Sequence, residues 1–147
     1  MRKVVLTRGV AGSGKSTWAK QQVRAHPEQY VRINKDSIRY MLFGGVYTHE
    51  HEQLVECLRD QAILAALKNG FDPIIDDTNI NPRHEQHIRT LVDGLADVHI
   101  QDFSHVSLYV CIKRDEQRPA PLEMQERTGE EMIRKQYAQL QQRGLDR

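Results

Sequence analysis

The stretch GVAGSGKST at residues 9–17 decides the fold class of this chain. It matches the phosphate-binding pattern G-x-x-x-x-G-K-[ST] in full, and it lies between an apolar run and a predicted helix, as that pattern requires. Its glycines let backbone N–H groups turn inward around an anion, and the positive end of the helix starting near Ser16 adds to the same point. Lys15 is predicted to reach the outer phosphates of ATP, and the Ser16 hydroxyl to bind Mg²⁺. The predicted ATP-binding residues of this loop are Gly9, Ala11, Gly12, Ser13, Gly14, Lys15, Ser16 and Thr17.

Strand and helix patterns alternate along the rest of the chain. Short apolar or alternating runs predict four strands, at residues 4–7, 30–33, 73–76 and 98–103. Capping residues and helical periodicity predict helices at 16–24, at 36–42, from Thr48 to Asn69-Gly70, from Asn81-Pro82 onward, and from a capping box at 128–131 to near Gly144. The apolar repeat of the third helix is Leu54, Leu58, Ala62 and Ala65. This alternation predicts an α/β P-loop NTPase or kinase fold, with a central parallel sheet of about four strands flanked by helices.

The composition is that of one soluble domain. The chain has 147 residues, of which 39% are hydrophobic and 28% are charged, as is ordinary for a globular domain. The formal net charge is only +1, so a nucleic-acid substrate would need a local basic patch. Cys57 and Cys111 are expected to be reduced thiols. No apolar run is long enough for a membrane span, and the start of the chain has no signal-peptide pattern, so we expect a cytoplasmic location and no membrane partner.

Asp36 and Arg39 follow the second predicted strand. Ligands of parallel sheets collect at the carboxyl ends of the strands, where an aspartate can accept the proton of an incoming hydroxyl. In a helix the two residues share one face, so that a base and an anion-binding guanidinium point the same way. The alternative is that Asp36 merely caps the helix and Arg39 is solvated.

A second acidic candidate, Asp76-Asp77, follows the third predicted strand. A carboxylate at a strand end beside such a loop commonly helps to hold Mg²⁺. Thr78 and Asn79 come next, and they suit substrate handling better than water activation. The alternative is a turn rich in Asn and Asp.

Arg114, Arg118 and Arg127 form a third candidate group. Phosphoryl transfer develops negative charge on the equatorial oxygens, and arginines on a flap can neutralise it. Because Arg114 and Arg118 are four residues apart, they are predicted to share a helix face. A plain solvated helix face is the alternative.

Several of these motifs together resemble the phage polynucleotide kinases, and the resemblance extends along nearly the whole chain. The shared stretches are GSGKSTWA at residues 12–19, INKD with a following arginine at 33–39, IIDDTNINP at 74–82, KRDEQRP at 113–119 and EEMIRKQY at 130–137. The resemblance implies an ATP-dependent kinase that phosphorylates the 5′-hydroxyl ends of DNA or RNA.

The resemblance also implies roles for individual residues. Asp36 matches the general base, and Arg39 matches the arginine that contacts the phosphate next to the acceptor hydroxyl. Asp77 matches the aspartate of the family's DTN segment, assigned here to Mg²⁺ together with Ser16. Arg118 matches the lid arginine that contacts the ATP phosphates, with Arg114 beside it. The implied catalytic residues are Lys15, Asp36, Arg39 and Arg118.

The segment before the lid is the least certain element from residue types alone. Residues 106–112 favour a strand by composition, whereas the resemblance implies a helix at about 107–117, which we adopt. We expect one kinase domain over 1–147 with a helical lid at about 107–130, and no phosphatase domain of the kind that the best-known family member carries.

Two other functions remain open at the level of sequence. The first is a P-loop kinase with a small acceptor, such as a nucleoside, nucleotide, sugar or modified tRNA end. The second is a nucleotide-operated binding module without an acceptor. The sequence leaves open the choice between DNA and RNA, the preferred nucleotide donor, the oligomeric state and the biological pathway.

Overall fold

A computed structural model describes residues 1–118 and 128–145 of the chain. These residues form a four-stranded sheet in the order β2-β3-β1-β4, in which all paired strands are parallel. The elements are β1 (Arg2–Arg8), α1 (Lys15–Ala25), β2 (Tyr30–Ile33), α2 (Lys35–Phe43), α3 (His49–Lys68), β3 (Asp72–Ile75), α4 (Pro82–Leu91), β4 (Ala96–Asp102), α5 (Leu108–Glu116) and α6 (Glu130–Leu145). The predicted fold class, including the number of strands, is confirmed.

Apolar side chains cover both faces of the sheet, as parallel sheets require. Leu6 and Ile75 are fully buried and pack with Ile63 and Ile88 from the helices on one face. On the other face, Ile74 packs with residues of β1 and α1. Successive residues of a strand point to opposite faces, so the continuous apolar run of β1 contributes side chains to both layers of the core.

The predicted α5 is confirmed over Leu108–Glu116. The Ser107 side chain accepts a hydrogen bond from the Val110 N–H at 3.3 Å, which satisfies one of the free amides at the start of the helix. Cys111 and Ile112 are buried against α6. This tertiary packing outweighs the strand preference of the segment.

The buried face of α3 differs from the prediction. The helix begins after Thr48, as expected, but its buried residues are Val55, Arg59 and Ile63. Leu54, the first residue of the predicted apolar repeat, is 46% exposed. Ala62 of the predicted repeat is partly buried against the core, so the buried face is centred one position later than predicted and includes part of the predicted stripe.

The start of α6 also differs from the predicted capping box at residues 128–131. The helix begins at Glu130, after Gly129 in a left-handed conformation at φ +91°. The N–H groups of Thr128 and Gly129 donate to the two carboxylate oxygens of Asp115, at 2.8 and 2.9 Å. A buried carboxylate of α5 thus holds the two residues that lead into α6.

The carboxyl ends of β1, β2 and β3 lie at one edge of the sheet. Asn79, at φ +48°, ties the first and third ends together by donating to the carbonyls of Thr7 at 2.7 Å and Ile75 at 3.0 Å. The loop at 9–14, the start of α2 and the segment after β3 therefore meet at a fixed place.

Parts of the predicted lid lie outside the described residues, among them Arg127 and all of 119–127. The single-domain prediction also stays a prediction. Within the described part of the chain, no helix has the length and apolar character needed to cross a membrane.

Candidate active site

A cavity of about 800 Å³ opens at the shared edge of β1, β2 and β3. It brings together most of the residues that the sequence singled out, from four separate segments. Gly9 and Ser13 do not line it; the Gly9 N–H instead donates to the Thr78 carbonyl at 3.1 Å. The predicted residues that line the cavity are Ala11, Gly12, Gly14, Lys15, Ser16, Thr17, Asp36, Arg39, Asp77, Arg114 and Arg118.

The loop at 9–17 depends on glycine at two places. Gly12 and Gly14 have φ values of +81° and +102°, which side chains with a Cβ rarely adopt. A Cβ at Gly12 would also lie 2.3 Å from the carbonyl oxygen of Cys111. The loop is thus held against the first turn of α5.

Two contacts from the C-terminal helices hold this loop from outside. The Gln136 side-chain oxygen accepts a hydrogen bond from the Ala11 N–H at 3.0 Å. The Arg114 guanidinium donates to the Gly12 carbonyl at 3.3 Å. Sequence inspection missed Gln136, because its partner lies 125 residues away along the chain.

Lys15 is buried, and its Nζ donates to the Val10 carbonyl at 2.7 Å. Burial lowers the pKa of Lys15 to about 8, while the charges of Asp76 and Asp77 oppose this shift and that of Arg118 adds to it. The Val10 carbonyl that accepts this hydrogen bond is neutral. A phosphate group in the cavity would supply a negative partner for the ammonium group.

Asp76 and Asp77 present carboxylate oxygens that suit a divalent cation. Arg32 donates to one oxygen of Asp76 at 2.6 Å, and the Lys35 N–H donates to one oxygen of Asp77 at 3.0 Å. The second oxygen of each is buried without a hydrogen-bond partner in the described structure. Burial raises the pKa of Asp77 to about 6. Carboxylate and hydroxyl oxygens are the ligands that Mg²⁺ prefers, so the side chains of Asp77 and Ser16 suit the predicted role. Asp76, which the sequence offered beside Asp77, is a further candidate ligand.

Asp36 and Arg39 lie on the same side of α2, as predicted, and they are hydrogen-bonded through Nη1 of Arg39. The Asp36 side chain is 78% exposed. Arg39 also donates from Nε and Nη2 to the two oxygens of Glu52, at 3.0 and 2.8 Å. This fork of two parallel hydrogen bonds fixes the plane of the guanidinium group.

Glu52 lies in the first turn of α3, and its contact with α2 was not predicted. Burial by itself would raise the pKa of Glu52, but the hydrogen bonds and charge of Arg39, with Lys35 at 3.7 Å, keep that pKa below its ordinary value. Glu52 therefore remains ionised and holds the two cations of α2 in place.

The predicted shared helix face of Arg114 and Arg118 is wrong. The helix ends at Glu116, so Arg118 lies in the turn that follows it and not on the helix. Both arginines nevertheless line the cavity. Arg118 pairs with the buried carboxylate of Asp115 at 3.4 Å, which places its guanidinium near the loop at 9–17.

The fold and this cavity define a P-loop protein of the kinase type. The sequence profile of the AAA domain family matches residues 4–142, and the chain belongs to this family. A putative bifunctional polynucleotide kinase/RNA ligase of Autographa californica nuclear polyhedrosis virus is 28% identical over 155 residues, which cover 92% of this chain and 20% of that protein. The resemblance to polynucleotide kinases read from the motifs is thereby confirmed.

Solved structures give the same picture of the fold. One chain of the Pnkp1/Rnl/Hen1 RNA repair complex superposes with a TM-score of 0.84 at 27% identity, over 99% of this chain and 46% of that one. The APS kinase CysC of Mycobacterium tuberculosis superposes with a TM-score of 0.64 at 19% identity, over 79% of this chain and 69% of that one, and so shows the fold alone. The chain spans about a fifth of the viral relative and just under half of the repair-complex chain.

Proposed function

We propose that this chain is an ATP-dependent polynucleotide kinase that transfers the γ-phosphoryl group of ATP to a 5′-hydroxyl end of DNA or RNA. The proposal rests most on one observation, that the loop with Lys15 and the hydrogen-bonded Asp36–Arg39 pair line the same cavity. The names of the viral kinase/ligase and the RNA repair complex support a polynucleotide as the acceptor.

The donor half binds the nucleotide through Lys15 and the amides of the loop at 9–17. Ser16 and Asp77, with Asp76 close by, would hold Mg²⁺, which supplies charge neutralisation at the β- and γ-phosphates when it is bound. Arg118, near Lys15, is suited to stabilise the negative charge that builds up on the migrating group.

The acceptor half supplies the proton acceptor. Asp36 takes the proton of the 5′-hydroxyl as that oxygen forms its bond to the γ-phosphorus, and the bond from this phosphorus to the β–γ bridging oxygen breaks to release ADP. Arg39, held in plane by Glu52, positions the acceptor through the phosphate beside the reacting sugar.

The exposure of Asp36 bears on the choice of acceptor. A base at an open rim is accessible to the end of a long chain, whereas a small acceptor would commonly be enclosed.

The free thiols of Cys57 and Cys111 fit the proposed cytoplasmic location.

The test is transfer of labelled γ-phosphate from ATP to three acceptors: a short 5′-hydroxyl oligonucleotide, a 3′-mononucleotide and a free nucleoside. We expect label on the oligonucleotide, and its loss in the Asp36→Asn variant. Label on the nucleoside alone would favour the small-acceptor kinase. Label on none of the three, with ATP still bound, would favour a binding module.

A further inference from the structure

Three large apolar side chains lie exposed beside the acceptor half of the cavity. Met41 at the end of α2 and Val46 and Tyr47 before α3 are 71%, 58% and 64% exposed, and we call them the rim patch. Clustered exposure of this kind is uncommon on a surface that meets only water, and it marks places where something binds.

The rim patch is continuous with the proposed reaction site. Gly45, next to the patch, lines the cavity. The guanidinium carbon of Arg39 lies 5.6 Å from the centre of the Tyr47 ring, and the same guanidinium is hydrogen-bonded to Asp36. One arginine therefore connects the exposed ring directly to the carboxylate that is proposed to accept the proton.

Charge alone gives this region a limited hold on nucleic acid. The net charge of the whole chain is +1. The cations on the acceptor side already have carboxylate partners: Arg39 contacts Glu52 and Asp36, and Lys35 lies 3.7 Å from Glu52. A strand end that binds here needs a contribution besides its phosphates.

We propose that Tyr47 is a stacking platform for the terminal nucleobase of the acceptor strand. Because the Tyr47 ring lies next to Arg39, which is hydrogen-bonded to Asp36, the 5′-hydroxyl of the stacked nucleotide would lie beside Asp36. The inference rests on the proposed function and names a binding contact for it. Base stacking on an aromatic ring tolerates every base, because each has a flat face. Tyr47 would therefore require a terminal base without selecting which one.

The test compares steady-state phosphorylation of a 5′-hydroxyl oligonucleotide by the unaltered chain, Tyr47→Ala and Tyr47→Trp. Tyr47→Ala should raise KM for the oligonucleotide about tenfold with little change in kcat, since stacking holds the ground state and the transition state alike. Tyr47→Trp should keep the original KM. Tyr109→Ala is the matched control, because Tyr109 is an equally exposed tyrosine on α5 at 68%.

A second acceptor separates stacking from general damage to the site. On an oligonucleotide whose 5′-terminal residue lacks its base, the unaltered chain and Tyr47→Ala should have the same KM. An unchanged KM in Tyr47→Ala with the ordinary oligonucleotide, or an equal rise on both acceptors, would overturn the platform and leave the kinase proposal standing. If the unaltered chain transferred phosphate to no oligonucleotide, both the stacking platform and the kinase proposal would be wrong.

Discussion

The donor and acceptor halves of the cavity are built in different ways. The donor half consists of main chain and buried side chains: glycines at φ +81° and +102°, a buried Lys15, and two aspartates with buried oxygens. The acceptor half consists of side chains on two helices, with Asp36 open to solvent and Arg39 held by Glu52 from α3. The loop of the donor half follows a local sequence motif, although the segment after β3 and Gln136 of α6 complete and hold it. The acceptor half has no such local motif and exists only when α2 and α3 pack together.

Because of this difference, mutations in the two halves should have different effects. A change at a glycine of the loop at 9–17 alters backbone geometry and should affect both folding and ATP binding. A change in the acceptor half removes one side-chain contact, so it should affect transfer while stability and ATP binding remain.

The largest effect is expected at Gly12. Gly12→Ala places a methyl group 2.3 Å from the Cys111 carbonyl oxygen at φ +81°, and we expect it to abolish ATP binding and to lower the free energy of unfolding by about 3 kcal/mol or more. Gly70→Ala is the control, since Gly70 has φ +84° with no atom within 4 Å of its added Cβ. That variant should lose about 1 kcal/mol and bind ATP normally. Denaturant unfolding and calorimetric titration measure both quantities, and normal ATP binding by Gly12→Ala would break the comparison.

The next effect concerns Glu52. Glu52→Gln removes the negative charge that holds Arg39 and Lys35, and we expect kcat/KM for the oligonucleotide to fall roughly 10- to 100-fold with the Kd for ATP unchanged. Glu50→Gln, exposed in the same turn of α3, should keep full activity. Equal losses in the two variants, or weaker ATP binding by Glu52→Gln, would contradict the proposed division between the halves.

A smaller effect is expected from the charge buried at Asp77. Burial raises its pKa from 3.8 to about 6, so the folded protein without metal binds more protons than the unfolded chain between these values and loses stability as the pH rises through them. Asp77→Asn should therefore stabilise the protein by roughly 1–2 kcal/mol at pH 7.5 with a chelator present, and the gain should vanish near pH 4.

Thermal unfolding at pH 7.5 and near pH 4 tests whether Asp77→Asn stabilises the protein only at the higher pH. Asp97→Asn, at an exposed position of β4, is the control and should leave the melting temperature unchanged. A loss of stability in Asp77→Asn at pH 7.5 would show that the carboxylate is satisfied without a cation.

The smallest effect is a proton taken up with ATP. Because the pKa of Lys15 is lowered to about 8 by burial, the empty site at pH 8 holds the group about half protonated, and bound phosphates should restore the full charge. Titration calorimetry in buffers of different ionisation enthalpy should report uptake of about half a proton, and none in Lys15→Arg. Equal values for the two proteins would place the phosphates away from Lys15.

More of the donor half than of the acceptor half could be predicted from the sequence. The loop at 9–17 is a local motif whose residue types follow from backbone geometry, so its position and its neighbours could be predicted. Asp36 and Arg39 were found because they are three apart on one helix. Glu52, Gln136 and Tyr47 were missed, since their significance comes from partners on other elements or from exposure in the folded chain.

The elements themselves show the same limit. The cap at Thr48 is local and was predicted, whereas the buried face of α3 and the contacts of Asp115 with the residues before α6 depend on packing. Leu54, on the outer side of α3, has the same helical spacing as residues nearer the core, so periodicity identified the helix but misplaced the centre of its buried face.

The most direct test of the whole account measures ATP binding and phosphoryl transfer in parallel for the unaltered chain and Asp36→Asn. The account predicts a Kd for ATP within about twofold of the original, together with transfer to a 5′-hydroxyl oligonucleotide reduced at least about 100-fold, as expected for loss of a general base. Transfer at the original rate, or loss of ATP binding along with transfer, would contradict the assignment of Asp36 to a separate acceptor half.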